Sequence, residues 1–154
     1  MEGDLIIGRG QRSAIATLVE RTSRFVVLVA LRGGHKAPSV RDALIAALRS
    51  QPASLRKTLT WDRGRELFWH EQISAATGTE IFFGDTHSPW QRGTNENTDG
   101  LLRQYFPKHT DLNEHDARVL ARVARELNRR PRLVLDERTP QEVMRDCRAT
   151  AAHL

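Results

Sequence analysis

Three acidic side chains carry the strongest chemical signal in this chain: Asp4, Asp62 and Glu96. Asp4 stands at the head of an apolar run, Leu5-Ile6-Ile7, and Asp62 directly follows Lys57-Thr58-Leu59-Thr60-Trp61. Both runs read as strands, and α/β proteins place their ligands at the ends of parallel strands. If those two strands are neighbours, the two carboxylates lie a few ångströms apart and repel each other unless cations join them. Hard oxygen donors of this kind select Mg²⁺ or Mn²⁺, and two such ions about 4 Å apart can stabilise both the attacking and the leaving oxygen of a phosphoryl displacement. Glu96, inside the block His87 to Asn97, is the best third carboxylate, with Asp85 as its rival. Arg103 follows Glu96 by seven residues. On a helix that spacing puts both on one face, where the guanidinium can hold a DNA phosphate.

Each of these residues also has a plainer alternative. Asp62 can cap a following helix, with Glu66 favoured in its first turn by the helix dipole. Trp61, at a strand end, reads as core, and Trp90 is open between core and base stacking. His87 either contacts phosphate and orders the metal site or serves as a structural histidine. His35 and His70 read as surface residues. Arg129, Arg130 and Arg132 surround Pro131 as a basic cluster that suits phosphate contact or plain solvation equally.

The elements that must position these groups follow from periodicity. Gly3 to Ile7, Ser13 to Glu20 and Arg24 to Leu31 are strand-like, with turn-sized joins, and predict an antiparallel meander ended by Gly33-Gly34. From Pro38, the residues Val40, Ala43, Leu44, Ala47 and Leu48 share one helical face. Strand Arg56 to Trp61, helix Glu66 to Thr77 and strand Glu80 to Phe83 then alternate, which favours parallel pairing that extends the meander. Helical patterns around Asn95 to Tyr105, Asn113 to Asn128 and Pro140 to Cys147 complete the chain. The expected fold is α/β: a mixed five-stranded sheet, an antiparallel meander followed by two parallel strands, flanked by helices.

The 154 residues suit one domain, 1–154, large enough to bury a core unaided. Apolar residues at 39% and charged ones at 28% exclude a disordered chain. The net charge of +5, carried almost wholly by arginine, admits a polyanionic partner without deciding for one. A single cysteine, Cys147, excludes an internal disulfide and a multi-cysteine zinc site. There is no signal-peptide pattern, and no stretch approaches the roughly 18 apolar residues of a membrane span, so a cytoplasmic protein without membrane partners is expected.

Four blocks of the sequence resemble a known family. They are Glu2-Gly3-Asp4-Leu5-Ile6-Ile7, Thr60-Trp61-Asp62-Arg63-Gly64-Arg65-Glu66, the stretch from His87 to Asn97 continuing through Gly100 to Lys108, and Leu127-Asn128-Arg129-Arg130-Pro131-Arg132. With Ala14 to Thr22 they resemble the DDE transposases of bacterial insertion sequences, closest to insertion-sequence family thirty, within the retroviral-integrase superfamily. Thirty-three residues separate Asp62 from Glu96, the close spacing typical of that family. The resemblance implies a ribonuclease-H-like fold, with Asp4, Asp62 and Glu96 as catalytic ligands of two Mg²⁺ or Mn²⁺ ions. It also implies Arg103 in the basic position that follows the Glu, and His87, Asn95, Lys108, Arg129 and Arg130 are the further candidate DNA contacts. The implied reaction is cleavage at transposon ends followed by transfer of the freed 3′-hydroxyl into target DNA, by a homo-oligomer on DNA. Only three residues precede Asp4, so the helix-turn-helix region that lies upstream in family members is expected to be absent. A ribonuclease-H-like nuclease, or a truncated inactive fragment that pairs with full-length transposase, is the alternative.

Overall fold

The β-branched and apolar runs at the start of the chain pair as an antiparallel meander, because alternate residues of each strand can bury on either face. In the computed structural model, which describes residues 1–32, 34, 35, 37–61, 69–84 and 93–153, with 37 and 93–96 described by backbone alone, these are β1 (Glu2–Ile7), β2 (Ala14–Val19) and β3 (Val26–Leu31). Every residue of β2 is buried, which makes it the centre of the meander. The turn into β3 is closed by Glu20. Its carboxylate accepts from the Ser23 amide at 2.7 Å, the Ser23 hydroxyl at 2.6 Å and the Thr22 amide at 3.1 Å. Burial pushes this carboxyl up, but the bonds from Ser23 and Thr22 outweigh it and hold the group below its ordinary value.

Helix α1 (Ala37–Arg49) leads to β4 (Thr58–Trp61), and helix α2 (His70–Thr77) leads to β5 (Glu80–Phe83). The sheet order is β3-β2-β1-β4-β5, with β4 parallel to both β1 and β5. On one face, Val40, Leu44 and Leu48 of α1 pack with Leu18, Leu59, Trp61 and Ile73. On the other, Ile6 and Ile15 meet Leu102, Phe106, Leu120, Val123 and Leu127 from α3 (Gly93–Leu102), α4 (Ala117–Asn128) and the segment between them. Helix α5 (Pro140–Ala152) closes the chain. The mixed five-stranded sheet expected from the sequence is present.

Helix α2 starts at His70, with Trp69 as its non-helical N-cap inside the expected span Glu66 to Thr77, and three further helix boundaries differ from expectation, each for a local reason. The third helix stops at Leu102 rather than Tyr105, because tight turns from Tyr105 to Leu102 and Gln104 to Leu101 carry Phe106 into the core, and the following Pro107 disfavours helix. Helix α4 starts at Ala117 rather than near Asn113, since the Asp116 side chain accepts from the Val119 amide at 2.9 Å and sets the first turn there. Helix α5 begins as expected, with Thr139 and Glu142 forming a capping box, but runs on to Ala152 because Arg148 to Ala152 contains no breaker.

At Val26 the outer side of β3 is capped by a side chain. Asn128, buried at the end of α4, accepts from the Val26 amide at 2.8 Å and donates to the Val26 carbonyl at 2.9 Å. It occupies the place a neighbouring strand would take.

Candidate active site

The strand that carries Asp4 and the strand that precedes Asp62 in the sequence are joined by a parallel ladder, with Glu2 opposite Thr60 and Gly3 opposite Trp61. Asp4 is the next residue after Gly3, and Asp62 the next after Trp61. The expectation that these strands are neighbours therefore holds. Gly3 makes the approach possible: a Cβ built there would stand 2.4 Å from the Trp61 ring, so only glycine leaves room for the buried indole. Trp61 is core, as expected.

Asp4 lies half-buried in β1, opposite Thr17 of β2. Its Oδ1 accepts from the Leu5 amide at 2.8 Å, and its carbonyl accepts from the Thr17 hydroxyl at 3.3 Å. Glu2, two residues earlier and therefore on the same face of the strand, is buried and pairs with Arg21 at 3.2 Å. Arg21 also donates to the Thr60 hydroxyl at 2.7 Å. One guanidinium thus fastens β1 to β4 just before both acids. Sequence reasoning missed this tie and the Gly3–Trp61 fit. The signal available for the first was an acid two residues before Asp4.

Glu96 lies by its backbone in α3, which packs against β1. Asp62, Glu66, Asp85, His87 and Trp90, with the side chains of Asn95 and Glu96, fall outside the described residues. Among the described residues no three His, Cys, Asp or Glu side chains gather into a metal-binding group, and of the three expected ligands only the Asp4 carboxylate is among them. Its hard oxygen donor, set on a rigid strand, suits a divalent cation.

Arg103 sits just past the end of α3, and its guanidinium donates to the Ile7 carbonyl at 3.3 Å and the Phe106 carbonyl at 3.5 Å. It pins the helix end to the end of β1. Lys108, Arg129 and Arg130 are exposed. Arg129 donates to Gln141, and Arg130 bonds the Tyr105 hydroxyl while lying over its ring, 5.6 Å from the centroid. Arg132 is half-buried and its charged form is disfavoured by burial. His35 and His70 are both half-buried rather than on the surface, and His70 meets Phe83 edge-on at 5.2 Å, which draws it against the sheet.

The sequence pattern of the integrase core domain family matches residues 1–89. The chain belongs to that family. Within it, the chain is 51% identical over 143 residues to transposase InsI of insertion sequence element IS30A from Escherichia coli, covering 93% of this chain and 37% of that protein. It is 50% identical over 143 residues to the transposase of IS1086 from Cupriavidus metallidurans and 35% over 142 residues to that of IS4351 from Bacteroides fragilis. These matches cover 93% and 92% of this chain and 42% and 43% of the relatives, so the chain spans less than half the length of each. Among solved structures, the catalytic core domain of BIV integrase superposes with a TM-score of 0.71 at 17% identity, over 98% of this chain and 96% of that one. A chain of the simian T-cell lymphotropic virus intasome gives 0.67 at 16%, over 92% of this chain and 52% of that one. The integrase core thus has the ribonuclease-H-like fold that the resemblance implied. No helix among its described residues is long and apolar enough to cross a membrane.

Proposed function

We propose that this chain is the catalytic core of an insertion-sequence transposase, which cuts DNA at the ends of the element and joins the freed 3′-hydroxyls to target DNA. Asp4, Asp62 and Glu96 are its acidic ligands for two Mg²⁺ or Mn²⁺ ions. The observation that carries this reading is the parallel ladder that sets Gly3 opposite Trp61, the residues that immediately precede Asp4 and Asp62 in the sequence. Family membership, with relatives named as transposases at about half identity, supports it.

Bound divalent cations would supply charge neutralisation at the attacking and leaving oxygens of the phosphodiester. The protein's own residues supply the rest. The Leu5 amide orients the Asp4 carboxylate. Arg103, Lys108, Arg129 and Arg130, with His87 and Asn95, contact DNA phosphates, and Arg103 retains guanidinium N–H donors beyond its two backbone bonds. The working form is a homo-oligomer on DNA.

Pre-cut oligonucleotides bearing candidate element ends, incubated with Mg²⁺ or Mn²⁺ and a target duplex, test the proposal. Metal-dependent joined product that disappears in Asp62→Asn is the expected result. Cleavage without joining would point to a plain nuclease, and equal activity in both proteins would overturn the site.

A further inference from the structure

The strand pairing at the site runs on to the edge of the sheet. Glu2 of β1 stands opposite Thr60 of β4, and Thr60 opposite Phe82 of β5. Side chains of paired residues share a face, so these three form a row on the face that carries Asp4. The inner two are occupied: the Arg21 guanidinium donates to the Thr60 hydroxyl at 2.7 Å and pairs with Glu2 at 3.2 Å. Phe82, at the outer end, is 49% exposed, and no other ring or guanidinium meets it among the described residues. Phe83 points to the opposite face, where His70 meets its ring.

A bare aromatic ring thus stands one strand, about 4.8 Å, from the residue that anchors a half-exposed guanidinium. Glu2 neutralises part of the Arg21 charge, but the guanidinium keeps N–H donors beyond its bonds to Glu2 and Thr60. A flat apolar surface beside directed donors matches a nucleotide, which offers a π-face and a phosphate on the same unit. Strand geometry sets Phe82 roughly 12 Å from Asp4, two strands across and two residues along. At 3.4 Å per nucleotide of one strand, that is within about four nucleotides of a phosphate held at the acids. The exposed acid on the same face of β5, Glu80, lies two residues farther from Asp4, so the side toward Asp4 is the one open to a polyanion.

We propose that Phe82 and Arg21 together hold one unpaired nucleotide of the DNA end on which the acids act, its base stacked on Phe82 and its phosphate bonded to Arg21. A base inside a duplex has both faces covered by its neighbours and none to give to the ring, whereas a base released at a strand end has one. The contact therefore favours an opened end over a closed one and fixes how far the opened strand lies from Asp4. It rests on the proposed function for its DNA and for the role of the acids.

Duplexes carrying a candidate element end, one fully paired and one with its terminal base pairs mismatched, test the contact by fluorescence anisotropy in metal-free buffer, where neither cutting nor joining intervenes. Wild type should bind the open end at least about fivefold more tightly, the low end of what one base–aromatic stack supplies. Phe82→Leu, apolar but without a π-face, should lose that preference and bind the paired duplex as before, whereas Phe82→Trp should keep it. Circular dichroism will confirm the fold of each variant. Ultraviolet cross-linking of 5-iodouracil placed at each mismatched position in turn should join one of them to Phe82, identified by mass spectrometry. A neutral methylphosphonate beside that base should weaken binding by wild type and leave binding by Arg21→Gln unchanged. A wild type without preference, a Phe82→Leu variant that retains it, or cross-links confined to other residues overturns the proposal. Joining that survives Asp62→Asn while the open-end preference persists overturns the acids instead and leaves this contact standing.

Discussion

The two halves of the sheet are built to different standards. In the meander each ladder aligns six residue pairs, and β2 is buried from end to end. Where β4 joins, two pairs align with β1 among the described residues, and β5 beyond it leaves Phe82 and Phe83 49% and 40% exposed. The proposed chemistry depends on the β1–β4 joint, since one acid lies in the meander and the next follows the strand added to it. Extra fastening sits at that joint: the indole of Trp61 over Gly3, and Arg21 bridging Glu2 and Thr60. A site that needs two carboxylates at a fixed separation gains more from such local fasteners than from further core elsewhere.

Four measurements break or sharpen this contrast. The largest effect is expected from Asp4→Asn or Asp62→Asn, which should lower strand joining by a factor on the order of ten thousand, the scale of removing one member of a catalytic unit. Urea denaturation midpoints should barely move, and a large shift would mean that the acids serve the fold.

Next comes the fastener itself. Trp61→Ala removes a fully buried ring and should cost about 3–5 kcal/mol in urea unfolding. Gly3→Ala forces a Cβ against that ring and should cost about 1–3 kcal/mol. If Gly3→Ala proves neutral, the close approach of the two strands is not a constraint.

Smaller again is Arg21→Ala. The guanidinium is half-exposed, so the ion pair alone contributes little, but its loss strands the buried Glu2 carboxylate, for a cost of about 1–2 kcal/mol. Adding Glu2→Gln should recover part of that loss, and strict additivity of the two changes would deny the tie.

The smallest effect belongs to the strong half. The folded-state pKa of Glu20 is held below its ordinary value, so its contribution is fully present above the unfolded value of about 4.3 and fades as pH falls through the folded one. The stability gap between wild type and Glu20→Gln should therefore shrink on acidification. A gap that stays constant from neutral pH to strongly acid solution would show that the turn does not depend on this charge.

The meander and α1 were legible in the sequence because strand and helix periodicities there are undisturbed, as in Val26 to Leu31 and in Val40, Leu44 and Leu48. Helix ends were less so. Whether Asp116 caps a helix or rides inside one depends on the Val119 amide it reaches, which composition does not encode. At the site, the strand placement of Asp4 and the adjacency of its strand to the one before Asp62 could be read from topology. The Gly3–Trp61 fit could not, because it depends on cross-strand register between residues 58 positions apart, and Arg21 reaches Thr60 only once the β1–β2 ladder has turned the chain back.

The amide of Asn128, set against Val26, has a consequence for crowding. A bare strand at the rim of a sheet is a template on which further chains can polymerise without limit, and such growth competes with any assembly of defined size. By holding the Val26 amide and carbonyl, one planar side chain interrupts that template at the start of β3, so growth on this rim would first have to displace a buried side chain of α4.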